Sequence, residues 1–211
     1  MSKRTLSMGK TVRPFAASPR ATMFEGLEDR RLMSAVGPAA LPNGAANDSV
    51  FDANTDTLHV IYYDTADKSL KYQSFGTDGS SSAVTTIDNS GDTGQFLSLA
   101  EDSTGVLHAA YYDVTNGDLK YARRDLAGVW STTTVDSKNT VGLYPSIALG
   151  ANGKPAISYY VKNSGDLKLA SFDGSAWNIS TIAVSADDVG RYSCMMLNPT
   201  TNKLAVGFEN T

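Results

Sequence analysis

A chain of 211 residues and 22.4 kDa has room for one domain, or at most two small ones. Hydrophobic side chains make up 41% of it, enough to build a core, which excludes disorder of the whole chain. One cysteine excludes an intramolecular disulfide framework, no stretch approaches the roughly 18 apolar residues of a membrane-spanning helix, and a net charge of −4 argues against nucleic acid as a partner.

The charge is unevenly spread. Residues 1–35 carry seven basic and three acidic side chains, which leaves the rest of the chain at a net −8. A basic, Ser/Thr-rich head of this kind reads as a targeting segment, disordered or partly helical, although it lacks the apolar run of a secretory signal. Thr22 and Glu25 have the spacing of a helix capping box. The string from Phe24 to Ala35 (FEGLEDRRLMSA) resembles the LEPR-XLL motif found near the N-termini of large surface or exported proteins, especially in planctomycetes. It keeps the Leu-Glu, the Arg and the Leu-Met-Ser-Ala ending, and has Asp29 where the motif has Pro. The resemblance implies an extracellular or cell-surface location. Residues 36–47 are rich in Ala, Pro and Gly and read as a linker.

From Asp48 onward the chain repeats itself. Tyr62-Tyr63, Tyr111-Tyr112 and Tyr159-Tyr160 recur at spacings of 49 and 48, and so do Leu70-Lys71, Leu119-Lys120 and Leu167-Lys168. Gly94, Gly142 and Gly190 are 48 apart, each followed two residues later by an aromatic: Phe96, Tyr144, Tyr192. In the second unit the pattern predicts strands at Phe96–Ala100, Leu107–Asp113, Leu119–Arg123 and Trp130–Asp136. Asn116-Gly117 predicts a type I′ hairpin, with Ser164-Gly165 at the same site in the third unit. The second strand of each unit is apolar on both faces, as a strand between packed sheets must be, and the fourth is half polar, which suits an outer edge.

Four antiparallel strands per 48 residues is the period of a β-propeller blade. The expected fold is therefore all-β, with blades at about 48–93, 94–141 and 142–189 and a partial one at 190–211. That is some three and a half blades, fewer than the 4–8 of closed propellers, and it suggests a fragment of a longer protein. The repeat also resembles bacterial repeats akin to BNR or sialidase-type propellers, best over Tyr111–Ala122 and Gly142–Leu149.

That resemblance makes sugar hydrolysis the first chemistry to weigh. Sialidase-type enzymes use several arginines, a Tyr/Glu pair and an acid/base Asp, whereas the only arginines outside the head are Arg123, Arg124 and Arg191. The first two are adjacent and, in a strand, point to opposite faces. No catalytic residue is assigned. Ser171–Trp177 resembles the Asp-box hairpin of the family, one residue short, and Asp173 is expected to bond turn amides. His59 and His108 sit at the same phase of successive units, which reads as structural. Asp64, Asp113, Asp118 and Asp166 all fall in or beside the repeated hairpin and read as turn chemistry, so no metal or other cofactor is expected. Cys194 replaces Ser98 and Ser146 of the sister units and is expected to be a small buried hydrophobe. The loops at the blade tops differ in charge, and Asp92, Asp187, Asp188 and Arg191 are the candidate ligand contacts there.

The resulting expectation is a non-catalytic, exported scaffold for adhesion or for binding glycans or surface proteins, with no nucleic acid partner and no membrane span. The alternative is a fragment of a sialidase-like glycoside hydrolase or a polysaccharide lyase without its catalytic blades.

Overall fold

Alternation of apolar and polar residues, interrupted by Gly, Asn and Asp, leaves the backbone one economical way to satisfy its donors and acceptors: short antiparallel hairpins. The computed structural model describes residues 44–184 and 188–210, so the head lies outside the described residues. Those residues form fourteen strands and no helix.

The first sheet contains β1 (Gly44–Asp52), β2 (Thr57–Asp64), β3 (Ser69–Gly76) and β4 (Thr85–Asp88). The second contains β5 (Thr93–Glu101), β6 (Leu107–Asp113), β7 (Asp118–Arg124) and β8 (Trp130–Asp136). The third contains β9 (Val141–Leu149), β10 (Pro155–Val161), β11 (Leu167–Phe172) and β12 (Trp177–Ala183). Finally β13 (Val189–Asn198) pairs with β14 (Lys203–Asn210). Each four-stranded sheet is a meander in chain order, the strand arrangement of a propeller blade. β1 starts inside the segment that reads as linker, because Gly44 and Asn47 already pair with Asp64 and Tyr62.

The expected burial gradient is present. Every residue of β6 and β10 is buried, while the middle residues of β8 and β12 are exposed. Apolar side chains of adjacent blades interlock: Ile61, Leu70 and Tyr72 of the first blade pack with Leu107, Ala109 and Tyr111 of the second. Leu119 and Tyr121 of the second pack with Ile147, Ile157 and Tyr159 of the third. Full burial of side chains of this size is worth about 1.5–3 kcal/mol each. Trp130 meets the Tyr72 ring edge-on at 5.5 Å and Trp177 meets Tyr121 at 5.1 Å, so each outer-strand tryptophan anchors its blade on the preceding one.

Three periodic devices join blade to blade. Gly94, Gly142 and Gly190 lie at φ 107°, 89° and 93° and press against Leu70, Leu119 and Leu167, where no side chain fits. Next to them, the Thr93, Val141 and Val189 amides donate to the Lys68, Gly117 and Gly165 carbonyls at 3.0, 2.9 and 2.9 Å.

The third device is a buried polar latch. Asp88 ends β4, and its carboxylate accepts from the Tyr111 hydroxyl at 2.6 Å and meets Lys120 at 2.5 Å. Asp136 ends β8 and receives Tyr159 at 2.8 Å and Lys168 at 3.2 Å. Burial alone pushes both carboxyls up, but the hydrogen bonds, from Lys120 and Tyr111 at Asp88 and from Tyr159 at Asp136, hold both below the ordinary range. At the next junction both partners are replaced together. Ala183 pairs with Leu167 as Asp136 pairs with Leu119, and Phe208 follows Gly207 where Tyr111 follows Ala110. Tyr62 of the first blade keeps its hydroxyl, which is buried without a hydrogen-bond partner among the described residues.

Two expectations need correction. The hairpins at Asn116-Gly117 and Ser164-Gly165 form, but not as type I′ turns: Gly117 and Gly165 have positive φ while Asn116 and Ser164 do not. Asp113 pairs with Asp118 across a four-residue loop, and Gly117 donates to the Asp113 carbonyl at 2.8 Å. The Asp113 carboxylate also accepts from the Asn116 amide at 3.1 Å, so an α-turn capped by Asp wins over the two-residue turn. The second correction is Cys194, which is exposed. Its sister residues Ser98 and Ser146 accept hydrogen bonds from the Ile147 and Met195 amides of the following inner strand, and no inner strand follows β13 among the described residues.

Candidate functional site

Beyond Gly94, Gly142 and Gly190 the inner strands bulge, as shifts in register record. The bulge places Phe96, Tyr144 and Tyr192 in the left-handed region, at φ 48°, 50° and 51°. An L-residue there costs about 1–2 kcal/mol, so three aromatics are held against their local preference at one end of the blades. Strain that persists is strain the surroundings impose, and it clusters at working surfaces. The three rings form a ladder, with centroids 4.5 Å apart between Phe96 and Tyr144 and again between Tyr144 and Tyr192. Tyr112 and Tyr160 of the second strands flank it at 6.2 and 6.3 Å. Tyr192, the last rung among the described residues, is 66% exposed.

Beside that last rung the structure gathers two of the candidate contact residues. Arg191 donates to Asp188 at 2.5 Å, and its guanidinium stands over the Tyr160 ring 5.4 Å from the centroid. The Tyr160 hydroxyl donates to the other Asp188 oxygen at 2.8 Å. Burial and the Asp188 carboxylate raise the Tyr160 hydroxyl above its ordinary range, so it stays a neutral donor at physiological pH. Arg191 and Asp188 remain accessible, with side chains 45% and 37% exposed. The surface thus offers an aromatic face, a fixed cation and a carboxylate, which suits a polar ligand with apolar C–H faces.

Asp92 does not join this cluster. It occupies the equivalent of Asp188 two units earlier, accepting from Tyr63 at 2.8 Å, with Lys68 at 4.0 Å and Gln95 in the place of Arg191. Asp187 lies outside the described residues. Tyr144, Tyr160 and Tyr192 are the site residues that sequence reasoning missed. Their signal was present in the repeated Gly-x-aromatic spacing, which reads as a fold marker.

The remaining candidates behave as folding devices. Asp173 accepts from the Ser175 and Ala176 amides at 2.8 and 2.9 Å, and these bonds, Ala176 foremost, hold its carboxyl far below the usual range. Asp125 accepts from the Val129 amide at 2.8 Å. His59 and His108 each place Nδ1 against a tyrosine hydroxyl, Tyr72 at 2.7 Å and Tyr121 at 2.6 Å. Arg123 is exposed, while Arg124 turns over the Tyr72 ring at 5.1 Å, so the adjacent pair diverges as expected.

No family model matches the chain, and no curated protein does. Among solved structures, a mutant of the sialidase NanB from Streptococcus pneumoniae superposes with a TM-score of 0.54 at 16% identity, over 76% of this chain and 27% of that one. The Aleuria aurantia lectin in complex with α-methyl-L-fucoside gives 0.54 at 13%, over 78% and 53%. The polysaccharide lyase Uly1 gives 0.50 at 14%, over 82% and 50%. The chain spans about a quarter of the sialidase and about half of the lectin and the lyase. What it shares with all three is the fold, an array of propeller-like blades.

Proposed function

We propose that the chain is a non-catalytic glycan-binding module that uses the aromatic ladder and the Arg191–Asp188 pair beside it as its binding surface. The observation that carries this reading is the Tyr144–Tyr192 ring pair set beside the accessible Arg191–Asp188 pair. Aromatic faces take the C–H side of a sugar ring, while the guanidinium and carboxylate take its hydroxyls. The lectin similarity supports a sugar ligand at the level of fold. The absence of catalysis rests on the sparse arginines and on Asp and Tyr groups committed to one another rather than to a reacting bond.

Glycan-array screening followed by titration calorimetry checks it. The expected result is saturable binding of a glycan without turnover, weakened roughly tenfold or more by Tyr192→Ala and by Arg191→Ala, at about 1.4 kcal/mol per tenfold. Both side chains are exposed, so the melting temperature is expected to stay within a few degrees of the parent. Release of product from the bound glycan would instead favour the hydrolase or lyase reading, which the sialidase and Uly1 similarities support equally at the level of fold.

The LEPR-XLL-like string supports display outside the cell. Deleting residues 24–35 is expected to leave the protein inside the producing cell, as fractionation would record. Unchanged distribution of the deletion variant would sink this assignment.

A further inference from the structure

At the opposite end of the blades, where the first and second strands of each unit turn, a second cluster crosses the seam between the first two blades. Asp52 ends β1, His59 lies on β2, and Glu101 ends β5 of the next blade. One ligand atom from each lies within 4.8 Å of the others. Asp52 and His59 are buried and Glu101 is half-buried.

The cluster breaks the symmetry of the repeat. Asp102 and His108 occupy the places of Asp52 and His59 one unit later, yet the residue corresponding to Glu101 at that next seam is Leu149. The second histidine likewise meets the carboxylate of its own blade, with Asp102 at 3.5 Å from Nε2, but Leu149 offers no donor where Glu101 stands at the first seam. Two carboxylates brought together under partial burial repel each other unless a cation lies between them. The His59 Nδ1 is held by the Tyr72 hydroxyl, which fixes the ring and leaves Nε2 as the ligand atom. An imidazole whose second nitrogen is tied to a polar partner is the usual arrangement of a metal-bound histidine.

We propose that Asp52, His59 and Glu101 bind a divalent ion of the zinc class and so clamp the first blade to the second. One imidazole and two carboxylates form a borderline donor set, suited to zinc more than to calcium or magnesium, which take oxygen donors throughout. Bonds of about 2.0–2.2 Å place tetrahedral ligand atoms about 3.4 Å apart, a contraction that side-chain rotation can supply. Water completes the coordination. Asp52 also accepts from the Asn54 amide at 2.8 Å and the Thr55 hydroxyl at 2.6 Å, which holds its carboxylate in place. Arg124, whose charge reaches His59, is engaged over the Tyr72 ring.

The test is equilibrium dialysis of the intact chain against zinc chloride, with bound metal counted by atomic emission and thermal unfolding followed in parallel. One zinc per chain is expected, with an upward shift in melting temperature that grows with free zinc. Glu101→Gln keeps size and hydrogen bonding and is only half-buried, so it should fold. It is expected to weaken zinc binding at least tenfold and to abolish the shift, whereas His108→Gln leaves both in place. Absence of a saturable site, zinc binding unaffected by Glu101→Gln, or calcium binding equally well would each overturn the proposal.

Discussion

Replacing Asp88 by alanine is expected to cost about 3–5 kcal/mol of unfolding free energy, the range for removing one partner of a buried ion pair. The variant strands Lys120, whose side chain is 10% exposed, and leaves the buried Tyr111 hydroxyl without its acceptor. The companion experiment removes all three together: Asp88→Ala, Tyr111→Phe and Lys120→Met. It should recover part of the loss, because neither charge of the pair is then left buried alone, while Ser90 still loses its Asp88 acceptor and Asp113 its cation at 4.0 Å. The equivalent positions one unit later already hold Ala183 and Phe208. Tyr62→Phe is expected to be neutral or mildly stabilising, since that hydroxyl is buried and has no partner among the described residues. Acid should act through the same carboxylates. Asp88 and Asp136 are held below 3.8 in the folded chain, so their contribution is complete above 3.8 and is lost as pH falls through the lower folded values. Denaturant titrations of parent and variants, repeated across that acid range, measure both effects. A triple variant no more stable than Asp88→Ala, or an acid limb unchanged in Asp88→Ala, would refute the latch energetics.

Gly142→Ala is the second large loss. A Cβ there would stand 2.6 Å from the Leu119 Cα, 2.8 Å from its Cβ and 2.9 Å from its backbone nitrogen, at φ +89°. Backbone cannot swing away as a flexible side chain can, so two blades must part. Overpacking and the left-handed penalty together amount to about 3 kcal/mol or more. Gly153→Ala is the control, with φ +72° and no atom within 4 Å of the added carbon. Its expected cost is the conformational one alone, about 1 kcal/mol. Equal losses at the two positions in chemical denaturation would mean that blade contact contributes nothing at Gly142.

Much of this architecture was legible in the sequence because strand periodicity and repeat period report the same thing twice. The all-apolar second strands, the polar fourth strands and the hairpin positions are all where the pattern puts them. What could not be read was anything depending on which residues face one another across blades. Asp88 and Asp136 are 48 residues apart and follow Ile87 and Val135, yet nothing in that spacing says that a tyrosine and a lysine of the next unit bond them. The turn type was missed because Asn-Gly is informative only when the loop length is known, and Asp113 pairs with Asp118 rather than closing sooner. At the ladder, Arg191 and Asp188 stood out by charge, while Tyr144 and Tyr192 were hidden by their regularity. Positive φ at an aromatic has no sequence signature of its own, and it is what turns those rings into a continuous surface.

The latch also has a direction. Each blade that carries it presents a carboxylate at the end of its last strand and a hydroxyl on its second, so contacts run head to tail along the array rather than face to face. A head-to-tail interface can be extended by copying one unit, because the copy brings both halves of the joint and meets either neighbour correctly. A mirror-type joint would need a new complementary surface at every addition. Duplication of a 48-residue stretch thus lengthens the array with no buried charge left unmatched, and where the carboxylate is replaced, at Ala183, the hydroxyl position is replaced too, at Phe208.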